Sequence, residues 1–487
     1  MVHLLQDLIR YSSFIRSEGK KIKSRPSSYD RLKTEKIRDK NTQNSHHFLK
    51  ARCVMKSKTL SRRMFLGSSA ALGITAYAAK AGGLNNMTDN AMKIAKIETI
   101  PLSLPVRPFA DGIDKTGGKA APSKYYRGEP IKRKRKRNAD GHLLMDYVFV
   151  KIHTDKGIVG TGEAPTDSVE TLETVKFTID RYMTPKLIGL NPFDIERNSD
   201  IVTLRKNGKI SARHATAAIN YALYDILGKA LNVPLFTLLG GIYRNKVLAG
   251  IEVPGGPPEE MAAHSMEYYK QGIRGIKAKV GTDPVRDVKA LKAIREALGD
   301  NISLRADANQ QYTIQEAIRL GQLAKEYDVG LELLEQPTAR TDWEGAARIM
   351  QAIDMPVEAD EAADSIYQVY QLLSNGACDI INTKCSKAGG ISGVKKWAAV
   401  AEAARKTIVI GTEYGLGNIV ASKVHLGCAI KNADPVVEFT EIMLHDLLTK
   451  QPLQLKDGYI EVPTGPGFGW EFDDQKIEKY RVPDFPK

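Results

Sequence analysis

The stretch GIKAKV (275–280), followed by ISLRADAN (302–309), LELLEQP (331–337), PVEADE (356–361) and DIINTK (379–384), decides the architecture. Each segment is a short apolar run that ends on or beside a charged residue: Lys279, Asp307, Glu335, Asp360 and Lys384. From Lys277 the successive intervals are 30, 28, 25 and 24 residues. That is about the length of one strand–helix unit. A closed parallel barrel brings such strand ends to one rim, where barrels of this kind hold their active sites. Three carboxylates on that rim suit a hard divalent cation. Lysines on either side suit proton transfer.

The same alternation extends in both directions. LAGIEV (248–253) precedes it, and TIVIG (407–411) and PVVEF (435–439) follow. Helical stretches such as DPVRDVKALKAIREALG (283–299) and DSIYQVYQLLSNG (364–376) lie between the runs. Near-continuous apolar strands imply a parallel sheet buried on both faces. Eight of them predict an α/β fold, a (β/α)8 barrel over residues 241–450. Upstream, KIETIPLSLP (96–105) alternates, and DYVFVKIHTDKGIVGTGEA (146–164) reads as two strands joined at Asp155-Lys156-Gly157. TAAINYALYDILGKAL (216–231) has helical spacing. Residues 93–240 thus form a separate mixed region, and the tail 451–487 returns to strand and turn signals.

Charge is concentrated at the front. Residues 1–80 hold 18 Lys/Arg and 5 Asp/Glu, which leaves about +1 of the net +14 for the rest of the chain. That balance argues against nucleic acid as a partner. Ser61-Arg62-Arg63-Met64-Phe65-Leu66 precedes an uncharged stretch from Gly67 to Ala79. It resembles a twin-arginine export signal over 55–83, which implies a periplasmic destination. The stretch is too short to remain as a membrane anchor. Met55 opens a natural-looking start, so residues 1–54 read as an over-called beginning or a basic extension. Beyond the signal only Cys378, Cys385 and Cys428 remain, too few for a disulfide framework.

The segments AAINYALYDILGKALNVPLFTLLGG (217–241), Lys277-Ala-Lys279, RADANQ (305–310), LLEQP (333–337), EADE (358–361), NTKCSKAGG (382–390) and GTEYGLGN (411–418) occur in one order. Together they resemble the enolase superfamily, within it the muconate-lactonizing subgroup and its mandelate-racemase-like neighbours. The resemblance covers about residues 93–475. It implies a modified barrel under an α+β capping domain that the C-terminal tail completes. It implies Mg²⁺ (or Mn²⁺) held by Asp307, Glu335 and Asp360, acid/base Lys279 and Lys384, and Lys277 as partner of Lys279. Asn309 and Glu361 match supporting positions. Glu438 matches an acid that meets the substrate carboxylate, with Glu441 an equal contender. Homo-oligomers are common in the family. Departures are Asn220 for a frequent Asp, Tyr312 for a frequent Trp, and a long loop, 107–141, carrying the basic run 132–137.

The chemistry explains the residue types. A proton next to a carboxylate is very weakly acidic, because its loss concentrates charge on two oxygens. A divalent cation stabilises that charge as it develops. A lysine acts as base only when neutral, and a cation beside it favours that form. Lys277, on the same strand face as Lys279, is expected together with the bound Mg²⁺ to lower the pKa of Lys279 toward working pH. Lys384 approaches from another strand. Two lysines on two faces suit racemisation or epimerisation of a small carboxylate, and one lysine with a spectator suits cycloisomerisation. Dehydration of a sugar acid or hydroxy acid through the same enediolate is the alternative. There is no His–Asp pair at the strand 6 and 7 ends, and His425 reads as a packed or surface histidine. Glu252, at the end of the first strand, reads as a solvated rim residue, with a place at the barrel mouth as the alternative.

Overall fold

The computed structural model describes residues 91–107, 137–166, 170–206, 209–483 and 485. The expected signal at 55–83, the segment 1–54, and most of the loop 107–141 with residues 132–136 of its basic run lie outside them. Among the described residues no helix is long and apolar enough to cross a membrane.

The cap begins with an antiparallel sheet of β1 (Ile94–Pro105), β2 (Leu144–Thr154) and β3 (Val159–Pro165), in the order β1-β2-β3. Gly157 closes the β2–β3 turn with φ +81°, a left-handed value that glycine adopts without strain. A short hairpin, β4 (Leu204–Lys206) and β5 (Lys209–Ser211), leads to helix α1 (Arg213–Leu231). α1 is buried nearly all round from Ala215 to Ile226, because β3 packs on one side and the barrel on the other. Its approach to β3 is so close that a Cβ on Gly162 would collide with the Ala218 carbonyl. Gly162→Ala is therefore expected to cost about 3 kcal/mol by overpacking. An unchanged urea midpoint would show that the cap can shift to admit a methyl group.

The second sheet is the barrel. Its strands are β6 (Lys246–Val253), β7 (Gly275–Lys279), β8 (Ser303–Asp307), β9 (Leu334–Glu335), β10 (Val357–Ala359), β11 (Ile380–Thr383), β12 (Thr407–Ile410) and β13 (Ala433–Glu438). Every neighbour is parallel, and β13 pairs back onto β6, which closes the ring of eight. The connecting helices carry the expected punctuation. Asp283 caps α2 (Pro284–Leu298) with Pro284 in its first turn, and Thr313 and Glu316 form a capping box on α3 (Ile314–Glu326). Two of the three departures from the resemblance, Tyr312 and Asn220, find hydrogen-bond partners. The Tyr312 hydroxyl donates to Asp287 at 2.6 Å, and Asn220 bridges Ser199 and Ser392 at 2.9 and 3.3 Å.

The C-terminal tail reaches both units. Tyr480 and Val482 bond to Ser103 and Pro101 of β1. The strand β14 (Tyr459–Glu461) instead pairs antiparallel with Lys246–Leu248, which the sequence did not suggest. Those residues of β6 precede its pairing with β7, so their open edge is available to be covered.

Candidate active site

Register places the charged residues. In neighbouring strands Lys279 faces Asp307, Asp307 faces Glu335, and Glu335 faces Glu358. Asp360 follows β10 by one residue. Lys384 follows β11 by one residue and precedes the short helix α4 (Cys385–Ala388). All five predicted strand-end residues therefore lie at the carboxyl rim. β7 and β11 are four strands apart in a ring of eight, so Lys279 and Lys384 stand on opposite sides. Asp307, Glu335 and Asp360 come from the three strands between them.

Each carboxylate is engaged by a lysine. Lys279 Nζ donates to Asp307 at 2.6 Å, Lys277 Nζ to Glu335 at 2.9 Å, and Lys384 Nζ to Asp360 at 2.8 Å. Among the described residues no three acidic, histidine or cysteine groups already close around one metal-sized gap. The acids nevertheless sense one another. Burial, then the charge of Asp307, pushes the Glu335 carboxyl well above the ordinary range, and Lys277 only partly offsets this. Burial, then Asp360 and Asp307, raises Glu361, whose buried Oε2 has no hydrogen-bond partner. Mutually repelling buried carboxylates with an orphaned oxygen fit a hard cation, which takes oxygen ligands and relieves that repulsion. Asp360 is different. Burial opposes its charge, but Lys384 and Lys387 hold it strongly ionised.

The lysines do not follow the simple expectation. Burial disfavours the Lys279 ammonium, and Lys277 adds to that. Asp307 and Glu252 outweigh both and push its pKa up. Lys384 is raised in the same way by Asp360 and Glu335. Lys277 thus acts on Lys279 in the expected direction, and the charges of Asp307 and Glu252 outweigh it. Lys277 is 3 % exposed and lies within 2.8–3.4 Å of Glu438, Glu335 and Glu252. It is an organising cation in the barrel, held charged by those acids.

Glu252 is a correction. It is not a solvated rim residue but accepts from Lys279 at 3.0 Å, and Lys279 with Lys277 holds its carboxyl down to about 2 against burial. Of the two contenders at and just beyond the end of β13, Glu438 faces the site: it meets Lys277 and accepts from the Thr412 N–H at 2.7 Å. Glu441 points away and pairs with Lys423. Asn309 serves two purposes. Its N–H donates to Asp307 at 2.9 Å and its side-chain amide donates to Glu361 at 3.3 Å, from a left-handed turn at φ +40°. His425 is a core residue, the first of its two readings. Its Nδ1 accepts from Phe236 N–H, and burial lowers its pKa to about 4.

Three supporting residues escaped the sequence reading. Lys387 donates to Asp360 Oδ1 at 2.5 Å and to its carbonyl at 2.9 Å. Gln336 Oε1 accepts from the Asp360 and Ala362 amides at 3.0 Å each. Asn382 bridges Glu335 and Glu358 at 3.2 and 2.8 Å. All three sit inside quoted motifs, LLEQP and NTKCSKAGG, so the signal was present. Their roles depend on contacts across strands, which spacing does not reveal.

Comparison with known proteins follows this geometry. Residues 260–476 match the enolase C-terminal domain-like family, and residues 142–240 match the N-terminal domain of mandelate racemase / muconate lactonizing enzyme. An L-Ala-D/L-Glu epimerase of Bacillus subtilis is 31 % identical over 385 residues, 78 % of this chain and 96 % of its own. A muconate cycloisomerase of Pseudomonas putida is 31 % identical over 345 residues, 68 % of this chain and 90 % of its own. The crystal structure of a dipeptide epimerase from Enterococcus faecalis, with Mg and the dipeptide L-Leu-L-Tyr, superposes with a TM-score of 0.65. It is 30 % identical, and the match covers 78 % of this chain and 99 % of that one.

Proposed function

The chain belongs to the enolase superfamily and is an isomerase of its muconate-lactonizing branch. From that premise we propose that it racemises or epimerises a small carboxylate at its α-carbon. The single observation that carries this reading is the placement of Lys279 and Lys384 on opposite sides of one carboxylate cluster. A substrate carbon between them presents one face to each lysine. One lysine removes the proton and the other returns it to the opposite face. Dehydration is not favoured, because the relatives with this architecture are epimerases, racemases and cycloisomerases.

Asp307, Glu335 and Asp360 would hold a divalent cation, Mg²⁺ being the ion found in solved relatives. When bound, it supplies positive charge to the oxygens on which the enediolate charge develops. The chain's own residues do the rest. Lys277, clamped by Glu438 and Glu335, keeps those acids in place. Gln336 and Lys387 set the backbone and carboxylate of Asp360. Glu252 keeps the Lys279 ammonium oriented toward the site.

The test is incubation in D₂O with dipeptides, N-succinyl amino acids and cis,cis-muconate, followed by proton NMR and chiral analysis. Deuterium at the α-carbon with inversion and no loss of water is expected. Lactone formation from muconate without α-exchange of any amino-acid derivative would replace this reading with cycloisomerisation.

Glu252 also yields a pH prediction. A lysine with fewer anionic neighbours loses its proton at lower pH. Glu252→Gln removes one of the carboxylates that hold Lys279 charged, second in effect to Asp307. The rising limb of kcat/KM against pH is expected to move down by about one pH unit. An unmoved limb would mean that Glu252 does not set the proton affinity of the base.

A further inference from the structure

Behind the reaction centre, on the β12–β13 side, lies a second buried charge pair that the proposed chemistry does not use. Lys423, on helix α5 (Asn418–Ala429), is 1 % exposed, and its ammonium pairs with the fully buried Glu441 carboxylate. Apart from this ion pair, neither Glu441 oxygen has a hydrogen-bond partner among the described residues. Lys423 Nζ also donates to the backbone carbonyl of Glu438 at 2.6 Å and to that of Glu413 at 3.3 Å. It lies 5.0 Å from the Phe439 ring centre.

An ammonium has three donors and no acceptor. Here all of them go to groups at or just beyond the ends of β12 and β13. A buried ion pair seldom stabilises a fold more than apolar packing of the same volume would. Stability alone is therefore a poor account of why a lysine stands in this core. What it joins is more specific. The Glu413 carbonyl follows β12 closely, next to Thr412. Thr412 donates its N–H to Glu438 Oε2 at 2.7 Å and its hydroxyl at 3.0 Å. The Thr412 and Thr440 hydroxyls meet at 3.3 Å, and the Thr440 hydroxyl accepts from the Glu252 N–H at 3.2 Å. The other oxygen of Glu438 lies 2.8 Å from Lys277, which in turn holds Glu335 at 2.9 Å.

We propose that Lys423 is a positioning residue: it ties the ends of β12 and β13 together so that Glu438 is held against Lys277 and Thr412, and through Lys277 it orients Glu335. Its catalytic consequence rests on the functional reading above, but its structural consequence does not.

The experiment separates the two. Lys423→Met/Glu441→Leu removes both charges and leaves neither buried and unpaired. Glu441→Gln keeps the ammonium and its two carbonyl bonds. Hydrogen–deuterium exchange of the full chain, read by mass spectrometry without metal or substrate, reports the strand ends directly. In the double variant, exchange in residues 407–417 and 433–446 is expected to accelerate at least about tenfold, while β8–β10 and the cap keep their protection. Glu441→Gln keeps both segments protected. With the acid identified in D₂O, the double variant loses at least about tenfold in kcat while KM moves less than about threefold. Wild-type exchange in both segments would overturn the proposal. So would loss of protection spread over the whole barrel, which would make the pair a general core element. If no acid is turned over, the functional reading fails, and the exchange result still decides the role of Lys423.

Discussion

Lys279→Ala and Lys384→Ala are each expected to lower racemisation by about 10³-fold or more, within the range that a positioned acid or base contributes. The two variants should differ in what they retain. Each lysine faces one side of the substrate carbon. Loss of Lys279 abolishes α-proton exchange of the stereoisomer whose proton points to β7, and leaves exchange of the other isomer at Lys384. Loss of Lys384 gives the reverse pattern. Neither variant inverts configuration, because inversion needs both. Deuterium wash-in, followed separately for each pure stereoisomer, makes the measurement. Inversion retained in either variant would refute the two-base arrangement.

The second large effect concerns the acids between the lysines. Glu335 has two possible purposes, to neutralise Lys277 or to bind a cation, and one variant separates them. Glu335→Gln leaves Lys277 with Glu438 and Glu252 as partners. It also removes a carboxylate that burial and Asp307 disfavour in its charged form. Without added metal, its thermal midpoint is therefore expected to stay near that of the native chain. With Mg²⁺ the two should part. A ligand that binds only the folded state stabilises it by about 2.7 kcal/mol at a hundred times Kd. The native chain should show that Mg²⁺-dependent rise, and Glu335→Gln should lose it together with turnover. An equal rise in both proteins would place the cation elsewhere. Chelation of the native chain should stop α-exchange, and added Mg²⁺ should restore it.

Much of this site is legible in the order and spacing of short motifs. A strand must begin and end at intervals set by one strand and one helix, so charged residues at the ends of apolar runs mark the rim. Asp307, Glu335, Asp360, Lys279 and Lys384 were found that way, and the closed ring places them there. Lys277 was legible as a neighbour of Lys279, because alternate residues of a strand share a face. So was the direction of its effect, which lowers the proton affinity of Lys279; the net balance was not. Two lysines read along the chain suggest mutual repulsion, whereas in the barrel Asp307 and Glu252 lie closer to Lys279 and dominate.

Glu252, Lys387 and Lys423 show the limit. Each sits in a local sequence where a solvated or structural residue is the ordinary reading. Their importance comes from partners 27, 27 and 18 residues away: Lys279, Asp360 and Glu441. Periodicity encodes which face of an element a side chain takes, and motif spacing encodes which strand end it occupies. Those two properties are local to the chain, and they account for the barrel and for the charged residues at its rim. Proton affinities and the second charge pair depend on distances across the ring. In a buried site these distances set the electrostatic balance, and they are established only when neighbouring strands and helices pack, with β13 closed onto β6 for the Lys277–Glu438 contact.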